Sequence, residues 1–84
     1  MGDSSKKRLI KEFIISELSE KKEIIDDKDD LLMGGIIDSL GIMKLVAYLE
    51  ETFSLKIKDE DLISENFISI ENIHSFVDLK TTSI

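Results

Sequence analysis

Apolar residues recur with helical spacing in several stretches of this chain, and they predict an all-α fold. The first stretch, residues 5–20, has apolar side chains at i, i+3, i+4 and i+8, which form one face of a helix. These residues are Ile10, Phe13, Ile14 and Leu18. Ser4 or Ser5 is suited to be the N-cap, because a serine hydroxyl can accept a hydrogen bond from the first turn.

The second helical stretch runs from Ser39 to Phe53, with Asp38 as its predicted N-cap. The stripe expected to be buried consists of Ile42, Leu45, Val46, Leu49 and Phe53. A second apolar stripe lies roughly 120–130° away around the helix. It contains Leu40, Met43 and Ala47. Apolar surface beyond what a core requires indicates a contact surface, and methionine adapts to several partners.

The segment from Lys21 to Asp38 has no helical period and predicts a long ordered loop. Loops of this length in small domains are usually functional. Four apolar residues are expected to hold it to the core: Ile24, Ile25, Leu31 and Leu32. We expect few protected backbone hydrogen bonds here, and therefore the least stable part of the fold.

The C-terminal third predicts a connector, a helical turn and a last helix. Residues 54–58 are interpreted as the connector, and Asp59 to Ile63 as the turn. Ser69 is the predicted N-cap of the last helix, whose buried face is formed by Ile70, Ile73, Phe76 and Val77. Residues 80–84 are expected to fray. The pattern therefore predicts a small three- to four-helix bundle with a long first loop, in one domain over residues 1–84 with an ordered core of about 5–80.

Composition narrows the functional classes. The chain has 84 residues, no cysteine and a net charge of −7, so it has neither the thiols for disulfides or thiolate metal sites nor the basic face of a nucleic-acid binder. No apolar run approaches the roughly 20 residues that span a bilayer, and no targeting signal is visible. We expect a cytoplasmic monomer that binds neither membranes nor nucleic acid.

Two chemical alternatives fail on their spacing. A calcium loop in the acidic run 26–30 would require an oxygen ligand and a glycine at the positions of Leu31 and Leu32. The serine hydrolase motif Gly-x-Ser-x-Gly would require glycine at Ile37. The lone histidine, His74, falls within the apolar period of the last helix and is interpreted as a surface or partly buried residue.

The sequence Asp38-Ser39-Leu40 follows a Gly34-Gly35 turn and begins the second helix. A phosphate on the Ser39 hydroxyl would lie beside unpaired N–H groups and the positive end of the helix dipole. Together with the spacing Leu45-x-x-x-Leu49-Glu50-x-x-Phe53, this segment resembles the attachment motif of acyl and peptidyl carrier proteins. The resemblance extends over roughly residues 8–80 and is most specific over residues 35–53.

The resemblance implies a carrier, not an enzyme. A phosphopantetheinyl transferase would attach 4'-phosphopantetheine to Ser39, and acyl- or aminoacyl-loading and transfer enzymes would use its thiol as a thioester carrier. Asp38 and Leu40 would flank the attachment site. The resemblance places the partner-binding face on Leu40, Met43, Lys44, Ala47, Glu50 and Glu51.

One departure from the family favours a particular kind of pathway. Carriers of fatty acid synthesis usually have acidic residues where this chain has Gly41 and Lys44. A positive charge there weakens attraction to basic partners, which favours a dedicated polyketide, nonribosomal peptide or D-alanyl transfer pathway. The alternatives are housekeeping fatty acid synthesis and, in a different class, an unmodified helical interaction module.

Overall fold

The computed structural model describes residues 2–19 and 25–82, and within these ranges it contains four α-helices and no strand. The helices are α1 (Gly2–Phe13), α2 (Ser39–Phe53), α3 (Ser64–Phe67) and α4 (Ile70–Thr82). A wider π-helical turn, Ile14–Leu18, continues α1, and a short 3₁₀ turn, Asp59–Asp61, precedes α3. The prediction of a small all-α bundle with a long first loop is confirmed. The helix of four residues, α3, was not predicted, because one helical turn is too short to show a period.

The first helix begins earlier than predicted and changes its geometry near its end. It starts at Gly2, so Ser4 and Ser5 lie inside the helix and the predicted cap is wrong. No proline is present to stop the helix before that point. After Phe13 the turns widen, and the Ser19 N–H donates to Ile14 O, five residues back, at 2.8 Å.

The loop before α2 is held by many backbone hydrogen bonds in its described part, residues 25–38. The Leu31 N–H donates to Ile68 O at 2.7 Å, and the N–H groups of Ile36 and Ile37 both donate to Leu31 O at 3.0 Å. The expectation of few backbone bonds is therefore wrong for this part. Some of these hydrogen bonds lie within a turn of the loop, and one joins the loop to the distant Ile68. Neither kind produces a periodic pattern in the sequence.

Apolar side chains fasten this loop as predicted. Ile25 and Leu31 are buried and Leu32 is half-buried, while Ile24 lies outside the described residues. Ile37, which was not predicted, is also buried. Each fully buried aliphatic side chain of this size stabilises the fold by about 1.5–3 kcal/mol.

The two adjacent glycines shape the turn within the loop. Gly35 has φ +74°, a conformation that side chains disfavour. A Cβ atom on Gly34 would lie 2.6 Å from Asp30 O, which leaves no room for a side chain. The turn therefore requires both glycines.

The core lies between α1, α2 and α4. On α2, Leu45 and Leu49 are fully buried, while the other predicted core positions, Ile42, Val46 and Phe53, are half-buried. The four predicted residues of α4 are all buried: Ile70, Ile73, Phe76 and Val77. Phe67 of α3 is also buried, and its ring centroid lies 5.7 Å from that of Phe76.

The last helix begins as predicted and ends later. Ser69 Oγ accepts a hydrogen bond from the Asn72 N–H at 3.1 Å, which confirms its capping role. The expectation that the chain frays from Lys80 is wrong for residues 80–82, which remain helical. Lys80 is held there because its ammonium group lies 2.7 Å from Asp61 Oδ2. His74 is half-buried on this helix, with Nε2 3.4 Å from Asp78 Oδ2, in agreement with its structural interpretation.

Candidate functional site

Ser39 is the first residue of α2 and is exposed. The preceding residue, Asp38, has an extended backbone with φ −105° and ψ −173°, as an N-cap requires. Its Oδ1 accepts from the Gly41 N–H at 2.8 Å, and its backbone carbonyl accepts from the Ile42 N–H at 2.9 Å. The predicted cap is confirmed, and it fixes the direction in which the helix leaves the loop.

The start of α2 is suited to an anion. The N–H groups of Ser39 and Leu40 precede the first intrahelical donor, so they have no partner within the helix. The first turn contains no acidic residue. A phosphate on Ser39 Oγ would therefore lie near N–H groups that have no partner within the helix and near the positive end of the helix dipole.

An exposed strip runs along α2 away from Ser39. Leu40 is 66% exposed and Met43 is 60% exposed, so two large apolar side chains one turn apart on α2 lie outside the core. Helical geometry places the strip within an arc of roughly 100°. Its members, all exposed, are Leu40, Met43, Lys44, Ala47 and Glu51. We call these five residues the α2 strip.

Glu50 differs from the other residues predicted to bind partners. It is half-buried, and its Oε2 accepts a hydrogen bond from the Ile57 N–H at 2.9 Å. This contact ties the chain that follows α2 back to the helix. The contact is between residues seven positions apart, and the sequence shows no periodic signal for it.

Met33 was missed by the sequence reasoning. It lies in the loop just before the two glycines and is 87% exposed, the largest value among the exposed large apolar residues in the described part of the chain. A single apolar residue in a segment without periodicity gives no signal of its exposure. Its methionine side chain adds adaptable apolar surface to the loop that leads into Ser39.

The acidic run of the loop has structural roles. The Asp27 carboxylate lies 3.3 Å from Lys7 Nζ and 3.2 Å from Lys11 Nζ, and its backbone carbonyl accepts from the Glu71 N–H at 2.9 Å. Desolvation acts to raise the pKa of Asp27, but the hydrogen bonds and charges of Lys11 and Lys7 outweigh it and lower the pKa. Asp27 therefore joins α1, the loop and α4.

The neighbouring acids cap turns of the same loop. Asp29 Oδ2 accepts from the Asp26 N–H at 3.0 Å. Asp30 Oδ1 accepts from the N–H groups of Leu32 and Met33 at 3.1 and 2.8 Å. These hydrogen bonds fix the backbone of the loop, which gives the aspartates a structural role.

Comparison with known proteins identifies the family to which the chain belongs. Residues 8–79 match the family described as the phosphopantetheine attachment site, and the chain belongs to that family. It is therefore a carrier domain whose cofactor is phosphopantetheine; such proteins carry intermediates and are not themselves enzymes.

A curated relative is similar along most of its length. The chain is 26% identical over 69 residues to a protein of Campylobacter lari named acyl carrier protein. The aligned part covers 82% of this chain and 87% of that protein.

Among the described residues, none of the helices has the length and apolar character needed to cross a membrane.

Proposed function

We propose that Ser39 Oγ is the attachment point of 4'-phosphopantetheine, transferred from coenzyme A by a phosphopantetheinyl transferase. The observation that carries the proposal is the exposed Ser39 hydroxyl at the capped start of α2, in a chain that belongs to the phosphopantetheine attachment family. The attached arm supplies a thiol that holds acyl or aminoacyl groups as thioesters. The chain has no cysteine, so none of its own side chains supplies a thiol.

The residues on either side of Ser39 have separate roles in this proposal. Asp38 orders the first turn through its hydrogen bond to the Gly41 N–H, so the hydroxyl is presented from a fixed backbone. Leu40 is largely exposed directly after Ser39 and is the first apolar contact for an enzyme that approaches the arm. The loop before Ser39 is tied down through Leu31, which limits how far the attachment site can move.

The α2 strip is the proposed docking surface for the transferase and for the acyl- or aminoacyl-loading and transfer enzymes. The charge of this surface changes sign along the helix, because the basic Lys44 lies about 7.5 Å from Ser39 along the axis and the acidic Glu51 about 18 Å. Glu50 is assigned a smaller part in steering, because its carboxylate already binds the Ile57 N–H. A partner with an acid near its active-site entrance and a base farther away would match this change of sign.

The charge of the strip favours a dedicated pathway, such as polyketide, nonribosomal peptide or D-alanyl transfer chemistry. Lys44 is exposed, so its charge acts on an incoming partner and would repel a basic docking patch. The alternative is a carrier of housekeeping fatty acid synthesis.

Intact mass spectrometry tests the attachment. The chain without its arm, incubated with coenzyme A and a broad-specificity phosphopantetheinyl transferase, should gain the mass of one phosphopantetheine group. Ser39→Ala should abolish the gain and leave the circular dichroism almost unchanged, because Asp38 still caps α2. Ser64→Ala is the matched control, because Ser64 is also an exposed first residue of a helix, and this variant should be modified like the wild type.

Two results would count against the proposed attachment at Ser39. Modification of Ser39→Ala would falsify the assignment of Ser39. A wild-type chain that gains no mass with an active transferase would contradict the proposed attachment reaction itself.

A further inference from the structure

Gly41 is buried in the first turn of α2, two residues beyond the exposed Ser39. A Cβ atom on Gly41 would lie 3.2 Å from Ile37 Cγ2, 3.3 Å from Asp38 Oδ1 and 3.7 Å from Leu18 Cδ2. The distance to Ile37 Cγ2 is shorter than the roughly 3.5–4.0 Å of a relaxed contact between two carbon atoms. The distance to Asp38 Oδ1 is also tight for a Cβ atom, whereas the distance to Leu18 Cδ2 is that of an ordinary contact. A side chain at this position would therefore press on Ile37 and Asp38 and would also touch Leu18.

The three neighbours of Gly41 come from different parts of the chain. Leu18 ends the π-helical turn after α1, Ile37 ends the loop, and Asp38 is the cap of α2. Two of them are themselves held, because the Ile37 N–H donates to Leu31 O at 3.0 Å and Asp38 Oδ1 accepts from the Gly41 N–H at 2.8 Å. The first helix, the loop and the cap thus meet at the turn that carries Ser39.

We propose that Gly41 is a positioning residue for the modification of Ser39. Its missing side chain lets Leu18, Ile37 and Asp38 close on the first turn of α2 and hold it in the geometry that presents the hydroxyl to the transferase. The proposal rests on the proposed function of Ser39. A side chain at position 41 displaces the Asp38 carboxylate or tilts the turn by a few tenths of an ångström, and group transfer is sensitive to displacements of this kind.

Burial also separates the two positions at which the chain departs from carriers of fatty acid synthesis. Lys44 is exposed, so it acts on partners. Gly41 is buried, so an acidic residue there would place a second carboxylate beside Asp38 and would disturb the turn of Ser39. The effects of the two positions should therefore appear in different kinetic parameters.

Transferase kinetics with Gly41→Ala test the proposal. With saturating coenzyme A and varied carrier, kcat should fall roughly threefold to tenfold, while KM for the carrier stays within about twofold because the α2 strip is intact. Thr52→Ala, an exposed substitution on the same helix outside the strip, should change neither parameter. Lys44→Glu should change KM and not kcat.

A double variant distinguishes positioning from a general loss of stability. Ile37→Leu removes Cγ2, the atom that lies nearest to a Cβ at position 41, and keeps the side-chain volume, so Gly41→Ala/Ile37→Leu should turn over faster than Gly41→Ala alone. If Gly41→Ala does not fold, Ile37→Leu is compared with the double variant, whose kcat should be the lower of the two. Thermal unfolding of each variant gives the folded fraction at the assay temperature.

Three results would overturn the proposal. They are a kcat for Gly41→Ala equal to that of the wild type, a loss confined to KM, and a loss fully explained by the unfolded fraction. A wild-type chain that is never modified contradicts the proposed function itself, so the two failures are distinguishable.

Discussion

Lys44 is the exposed side chain that we propose selects partners. It lies one helical turn beyond Leu40, in the strip that starts beside Ser39, and its charge opposes the net charge of −7 of the whole chain. Between Ser39 and Leu49 it is the one charged residue of α2. An enzyme that approached Ser39 along the proposed docking surface would therefore meet a local positive charge on an acidic molecule.

We expect Lys44→Glu to speed loading of the modified carrier by fatty-acid-type enzymes that have a basic docking patch. The increase should be roughly threefold to tenfold at low salt, mainly in the association rate, and should shrink as salt screens the charges. The measurement is the loading rate at two ionic strengths. Lys56→Glu makes the same change of charge at an exposed site outside the strip, and equal rates for the two variants would show that Lys44 does not face the partner.

At the scale of the elements, the loop before α2 is hydrogen-bonded to the segment that contains α3 and the start of α4. Leu31 N–H reaches Ile68 O between these helices, and Asp27 O accepts from the Glu71 N–H at the start of α4. Leu31 also fills the core with its side chain. The described part of the loop is therefore an integral part of the fold, and Ser39 follows a supported segment.

Amide hydrogen exchange checks this directly. The amides of Leu31, Ile36 and Ile37 should exchange slowly, within about tenfold of Leu45 and Leu49 in α2, because their bonds open only when the loop leaves the core. Lys28, which is exposed in the same loop, serves as the internal reference and should exchange quickly. If the Leu31 amide exchanged as fast as that of Lys28, the loop would be loosely attached.

At the scale of the whole molecule, ion pairs connect segments that are distant in the sequence. Asp27 lies between Lys7 and Lys11 of α1, Asp78 of α4 pairs with Lys6 at 3.1 Å, and Lys80 pairs with Asp61. The hydrogen bond from Lys80, followed by that from the Lys58 N–H, lowers the pKa of Asp61. Because these groups are partly exposed, each pair contributes modestly to stability.

The lowered pKa values of Asp27 and Asp61 predict a loss of stability in acid. A depressed pKa means that the unfolded chain binds protons first as the pH falls, so the stabilisation is complete above the ordinary pKa of 3.8 and is lost as the pH falls through the lower folded values. Urea unfolding of the wild type, Asp27→Asn and Asp61→Asn between about pH 6 and pH 2.5 measures it. The urea midpoint of the wild type should exceed that of each variant above pH 4 and converge with it at the acidic end.

A control for this experiment is Glu60→Gln, which removes an exposed acid from the same 3₁₀ turn as Asp61. Its urea midpoint should follow the wild type at each pH. A constant difference between the wild type and Asp27→Asn down to the lowest pH would show that the ion pairs with Lys7 and Lys11 do not contribute.

Local chemistry in the sequence was enough to determine α2, its cap and the buried face of α4. Asp38 caps because a carboxylate followed by helix-forming residues satisfies the first turn wherever that turn lies in a fold, and the stripes of Leu45 and Leu49 or of Ile73 and Val77 follow from helical period alone. The segment around Ser39 was also enough to identify the family. These signals act over a few residues, so they can be read without the fold.

Only the tertiary structure decided the contacts that join distant segments. Glu50 accepts a hydrogen bond from Ile57, the loop is bonded to Ile68, and Leu18 packs near Gly41. None of these contacts follows from a periodic pattern in the sequence. Such contacts form because packing the helices brings unpaired N–H groups, carboxylates and apolar side chains within reach of one another, and buried polar groups must then find partners. The sequence therefore determined the helix that presents Ser39, whereas packing determined how firmly that helix start is held.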